Sequence, residues 1–107
     1  MNVFTRRYEN RLYKEWAGMH HRCKRPKASH YQNYGGRGIA VCGEWDGKDG
    51  FVNFAKWALC NGYGDDLEID RVDTDGNYSP DNCRWVTHKE NCRNRNTHQG
   101  AVKASIA

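Results

Sequence analysis

A chain of 107 residues makes one domain, and its net charge of +4, from 17 Lys plus Arg against 13 Asp plus Glu, is mild. With 37% hydrophobic and 12% aromatic residues it is globular rather than disordered, and no stretch is long and apolar enough to cross a membrane. The opening MNVFTRRYENR lacks a signal peptide's apolar core, so a cytoplasmic protein is expected, and five reduced cysteines, an odd number, argue against a closed disulfide framework.

From about Thr5 to Cys23 the pattern is helical: Tyr8, Leu12, Trp16 and Met19 recur at spacings of four and three and share a face, with Thr5 as cap. The breaker-rich loop KRPKASHYQNYGGRG follows, then a short strand over Ile39–Cys42 and a polar turn from Glu44 to Gly50. Phe51–Asn61 is a second helix, with Phe51, Phe54, Ala55, Ala58 and Leu59 as its apolar stripe and Gly62 as its stop. Leu67–Val72 alternates as a strand, DTDGNYSPDN is a turn-rich loop, and Cys83–Thr87 is the returning strand. A last helix opens at Thr87 or His88 and runs to about Asn94. The expected class is α+β: a ββα unit in the C-terminal half, with two helices and a short strand before it. Residues 1–95 form the single domain, and 96–107, with only Val102 and Ile106 as large apolar residues, a flexible tail.

Charge is unevenly spread. Arg6 to Lys27 is basic, Glu44 to Asp81 strongly acidic, and Arg84, Lys89, Arg93 and Arg95 turn the end basic again. Basic flanks around an acidic centre suit a protein that grips phosphates at its edges and holds a cation in the middle, although an ordinary mixed surface would show the same counts. Arg7, Arg11 and Lys14 on the first helix, Arg37 in the loop, and Arg84 and Arg93 at the end are the nucleic-acid-binding candidates.

The segment EIDRVDTDGNYSPDNCRWVTHKENCRNRN resembles the HNH nucleases, in particular their phage and homing-endonuclease branch. Asp70-Arg71 stands where that branch has an acidic residue and His. Asn82-Cys83-Arg84-Trp85-Val86-Thr87 stands where it has N-L-x-W-V-T, and Lys89-Glu90-Asn91 matches its helix signature. YGGRGIAVCGEW and WALCNGY extend a likeness to small phage HNH-like proteins over most of the chain. The resemblance implies an HNH-like ββα core, a divalent Mg or Mn ion held by Asp70 and Asn91, Asn82 as the residue that orients the base, and DNA as substrate. Arg71 departs from the pattern, because a guanidinium cannot take a proton from water. Arg71 would instead bind a phosphate bidentately, and a substitute base would come from His88, Asp73 or Asp75, with His88 best placed beside Asn91.

Two functions stay open. One is a phage-type HNH-like DNA-binding protein, a metal-dependent nickase or endonuclease if active. The other keeps the fold without catalysis, as an inhibitor of anti-CRISPR or anti-restriction type that blocks a host defence or DNA-processing protein or nucleoprotein complex in the host cytoplasm. A structural module that touches phosphates alone is a third variant. Cys23, Cys42 and Cys83 with one His compose a donor set for structural zinc, but buried thiols acting as small apolar residues are the preferred reading, Cys83 replacing the family's Leu. Asp73 to Asn77 alternates like a calcium loop but lacks the distal Glu, so a turn with Gly76 left-handed is expected. The GGRG turn lacks a P-loop's Lys-Ser or Lys-Thr and presents Arg37 either to DNA or to an acidic neighbour. Tyr31 and Tyr34 beside it stack on bases or pack into the core.

Overall fold

The computed structural model describes residues 9–97, with side chains through Cys92. Thr5, Arg7 and Tyr8, the side chain of Arg93, and the tail beyond Thr97 lie outside the described residues. Three α-helices are described: α1 (Glu9–Lys24), α2 (Gly50–Cys60) and α3 (His88–Thr97). β1 (Glu68–Arg71) and β2 (Cys83–Val86) form one antiparallel ribbon, and three short 3-10 turns connect α1 to α2. The domain is therefore α+β. Among the described residues no helix is long and apolar enough to cross a membrane.

The apolar spacing of α1 and α2 explains their packing. Leu12 and Met19 of α1 are fully buried, as are Phe54, Ala55 and Ala58 of α2, and Trp16, Phe51 and Leu59 pack against them half-buried. α2 ends where expected, with Gly62 at a φ of 88° that a Cβ would strain. α3 starts on a capping box. The Thr87 Oγ1 accepts from the Glu90 N–H at 3.2 Å, and the Glu90 carboxylate accepts from the Thr87 N–H at 3.1 Å. α3 then lies against β1. Its run to Thr97 carries it past the expected domain boundary at residue 95.

Three expectations need correction. The strand over Ile39–Cys42 reduces to one parallel bridge, Val41 with Tyr78, in which Cys42 and Tyr78 donate to Tyr78 and Ala40 carbonyls, both at 2.9 Å. A lone bridge forms because the partner is a single loop residue rather than a strand. Gly76 does not adopt a positive φ; among the described residues the glycines that do are Gly38, Gly47 and Gly62. Gly76 is instead a position of close approach, since a Cβ there would lie 2.8 Å from the Asn82 amide nitrogen. Finally, the polar turn from Glu44 to Gly50 hides the centre of the core. Trp45 sits in the 3-10 turn Gly43–Trp45 with no exposure at all.

Trp45 organises this end of the molecule. Its ring meets Phe54 edge-on at 5.0 Å and Trp57 at 4.9 Å, and Trp57 passes the cluster on to Trp85 at 5.9 Å. Trp85 is buried as expected, with its ring among Phe54, Trp57 and Tyr63. Such pairs add about 0.5–1.5 kcal/mol each beyond their buried area. The Trp45 carbonyl accepts from Trp16 Nε1 at 2.7 Å and from His20 Nε2 at 3.0 Å, which locks α1 onto the turn.

A charged cleft along the outer edge of β1

The ribbon has two strands, so the outer edge of β1 pairs with no further strand among the described residues. α1 faces that edge across a cleft of about 480 Å3. Arg11, Lys14, Glu15 and Arg22 line it from α1, Tyr34 and Tyr78 from the loops, and Glu68 to Arg71 from β1, with Thr74 and Asn91 at its sides. Arg11, Glu15 and Arg22 reach it because steps of four and seven residues return to one helix face. The Glu15 carboxylate faces the outer edge of β1 near the Ile69 N–H and covers part of it. Burial raises Glu15 above the usual carboxylate range, and Arg11 and Arg22 partly oppose that shift.

Two guanidiniums flank a pair of tyrosines at one side of the cleft. Tyr34 and Tyr78 stack at 6.3 Å with 13° between their planes, and both Arg22 and Arg71 lie over these rings at 5.1–5.7 Å. Cations over ring faces are attracted by the ring quadrupole. Arg71 donates through Nη1 to the carbonyls of Thr74 at 2.6 Å and Gly76 at 2.8 Å. Arg22 donates through Nε and Nη2 to the Tyr78 hydroxyl at 3.3 and 3.1 Å. Burial, opposed chiefly by Arg22, pushes the Tyr78 phenol up to about 12, so it stays neutral and can accept. Among the described residues, neither Arg22 nor Arg71 forms a carboxylate salt bridge.

The expected catalytic set is divided among other duties. Asp70 is nearly buried, and its Oδ2 accepts from Arg84 Nε at 3.0 Å, directly across the ribbon. Asn91 lines the same cleft as Asp70, but the carboxylate it bonds, Nδ2 to Oε1 at 2.8 Å, is that of Glu68. Glu68 also accepts from His88 Nδ1 at 2.7 Å. Asn82 is a loop staple: it donates to the carbonyls of Asp73 and Asn77 and accepts the Asp73 N–H, all at 2.9 Å. Both hydrogens of its amide are thereby used within the loop.

The cationic candidates are similarly divided. Arg11 donates to the Tyr63 hydroxyl and to the carbonyls of Gly64 and Leu67, tying α1 to the segment that leads into β1. Arg37 pairs with Asp75, an acidic neighbour, and Tyr34 stacks on Tyr78. Arg84 keeps a half-exposed side chain while serving Asp70, and Lys14 lines the cleft. The loop from Asp73 is the expected turn, with the Asp73 side chain accepting the Asp75 N–H at 3.0 Å. Among the described residues no group of three or more His, Cys, Asp or Glu side chains is placed to hold a metal ion. Cys83 is pushed up to about 12 by burial, and Cys23 and Cys42 are raised by the same cause, so all three are protonated thiols.

Glu15, Arg22 and Glu68 are the cleft residues that sequence reasoning missed. Alternation along β1 sets Glu68 on the same face as Asp70, and helical spacing sets Glu15 and Arg22 with Arg11; both signals are present in the sequence. Compared with known proteins, the chain matches no family model, and no curated protein or solved structure is significantly similar to it.

Proposed function

We propose that this chain is an HNH-like nucleic-acid-binding protein that seats a backbone phosphate of DNA in the cleft between α1 and β1 and does not hydrolyse it. The observation that carries this reading is the pair Arg22 and Arg71. Both are largely shielded from solvent, both line the cleft, and both are held by neutral oxygens and ring faces rather than by carboxylate salt bridges among the described residues. Guanidiniums fixed by neutral partners keep their charge for an incoming anion and lose little freedom when they bind it. Lys14 adds a further positive charge to the lining.

The same geometry speaks against hydrolysis. Arg71 occupies the position where the resemblance expects a base, and it cannot accept a proton. A divalent cation of the expected kind would need Asp70 and Asn91. Asp70 is committed to Arg84, Asn91 to Glu68, and two guanidiniums share the space, so the donor set does not fit that ion. His88, the expected substitute base, is bonded to Glu68.

A second reading, the inhibitor of a host protein, is favoured by one observation. Tyr13 is 51% exposed beside Phe51, and a shallow groove runs between Glu9, Asn10, Tyr13, Lys14 and Phe51. Exposed aromatic side chains of this sort anchor protein partners.

The test is a salt titration of binding to labelled duplex DNA, with a plasmid-nicking assay alongside. Wild type should bind with an affinity that falls with salt. Arg22→Gln and Lys14→Ala should each flatten the slope by about 0.9 for every phosphate that the variant no longer neutralises. Plasmid should stay intact with magnesium or manganese as it does with chelator, and Arg71→His should not awaken nicking. Salt-independent binding, or metal-dependent nicking by the wild type, would overturn the reading.

A further inference from the structure

A second arrangement lies on the α3 side of the ribbon and shares Glu68 and Asn91 with the lining of the cleft. Cys92 and His88 are one helical turn apart on α3, and the Cys92 Sγ lies 3.4 Å from His88 Nε2. The other ring nitrogen of His88, Nδ1, is 2.7 Å from the Glu68 carboxylate on β1. Glu68 is held in turn by Asn91 Nδ2 at 2.8 Å. A carboxylate that accepts from Nδ1–H leaves Nε2 as a bare lone pair directed at the thiol. A nucleophile within reach of a base that a third group orients is the geometry that activates thiols. We propose that Cys92 is a reactive thiol and the site at which a small-molecule disulfide modifies this protein.

The step balances within the named groups. His88 Nε2 takes the proton from Cys92 Sγ, and the thiolate attacks one sulfur of the disulfide. That S–S bond breaks as a new one forms between Cys92 and the attacked sulfur. The displaced thiolate leaves with the electron pair and recovers the proton from His88. The small disulfide is the oxidant, reduced to one thiol and one protein-bound half. The other four cysteines lack this arrangement among the described residues. Cys83 is buried, Cys23 and Cys42 are half-buried and held protonated by burial, and Cys60 is exposed at the end of α2. Cys60 is thus an internal control that is more accessible than the half-buried Cys92 but lacks the imidazole. The inference does not require that the cleft bind DNA, although Glu68 and Asn91 line it.

The experiment is modification of the whole chain by glutathione disulfide at pH 7, with the adduct at each cysteine followed by peptide mass mapping. Cys92 should react at least about threefold faster than Cys60, because His88 Nε2 lies within reach of its proton as the thiol attacks. His88→Ala should reduce Cys92 to the rate of Cys60, and Glu68→Gln should lower it part of the way. Cys83 reports folding in every variant, since it reacts only if the core opens. If His88→Ala exposes Cys83, the Glu68→Gln result decides. Equal rates at Cys92 and Cys60 in the wild type would overturn the proposal, as would a Cys92 rate unchanged in both variants.

Discussion

Around Trp45 the molecule is held by rings, whereas along the outer edge of β1 it is held by charges. The aromatic end joins Trp45, Phe54, Trp57 and Trp85 in a run of tilted and edge-on pairs, and its strength is area removed from water. The β1 edge buries little apolar surface. Its Arg, Glu and Asp side chains hold one another and the nearby carbonyls. Each such bond is worth little net, while breaking it leaves a partner unsatisfied. A surface that orders this many charges without a large gain in stability is suited to recognition. The aromatic end keeps the fold standing while the charged edge is free to specialise.

Substitutions that separate the two regions should do so by size. Trp45→Ala should cost about 3–5 kcal/mol in urea unfolding, the largest effect in the molecule, because the ring is fully buried and its neighbours cannot close the cavity. Asn82→Ala should cost about 1–3 kcal/mol by leaving loop groups of Asp73 and Asn77 without their partner. A cost as large as that of Trp45 would mean the charged edge carries the fold after all. Glu15 should reveal itself through pH. Its folded value is raised, so its contribution to stability is fully present below the ordinary carboxylate range and is lost as pH rises through the raised value. Urea midpoints of the wild type should show that decline and those of Glu15→Gln should lack it; parallel curves would remove Glu15 from the account. Lys24→Ala should be the smallest, within about 0.5 kcal/mol, because its bond to Asp46 at 2.8 Å is exposed to solvent and screened.

The same division decides what could be read from the chain. Burial follows period, so α1, α2 and the ribbon were legible from spacing, and Gly62 marked the stop of α2; α3, HKENCRNRNT, has no apolar period and was legible only from its start at Thr87 or His88. Trp45 was not, because the core residue with no exposure lies in a turn whose neighbours Glu44, Asp46, Lys48 and Asp49 are polar, and a window average sees only them. At the charged edge the residue types were legible but not their partners. Asp70, Arg71, Asn82, His88 and Asn91 all occur in the expected unit, yet Asp70 takes Arg84, Asn82 takes its own loop, and His88 and Asn91 converge on Glu68. Partner choice among charges depends on ångström-scale placement across the ribbon, which no sequence spacing encodes. Arg71 was the exception: its chemistry alone ruled it out as a base.

The most direct test of the cleft is to watch its two shielded guanidiniums. The side-chain Nε–H signals of Arg22 and Arg71 can be followed by NMR as a short DNA duplex is added. Both signals should shift together with the amides of β1, saturably and less so at high salt, while those near Phe51 stay put. Shifts confined to the groove between Tyr13 and Phe51, with Arg22 and Arg71 unmoved, would contradict binding in the cleft.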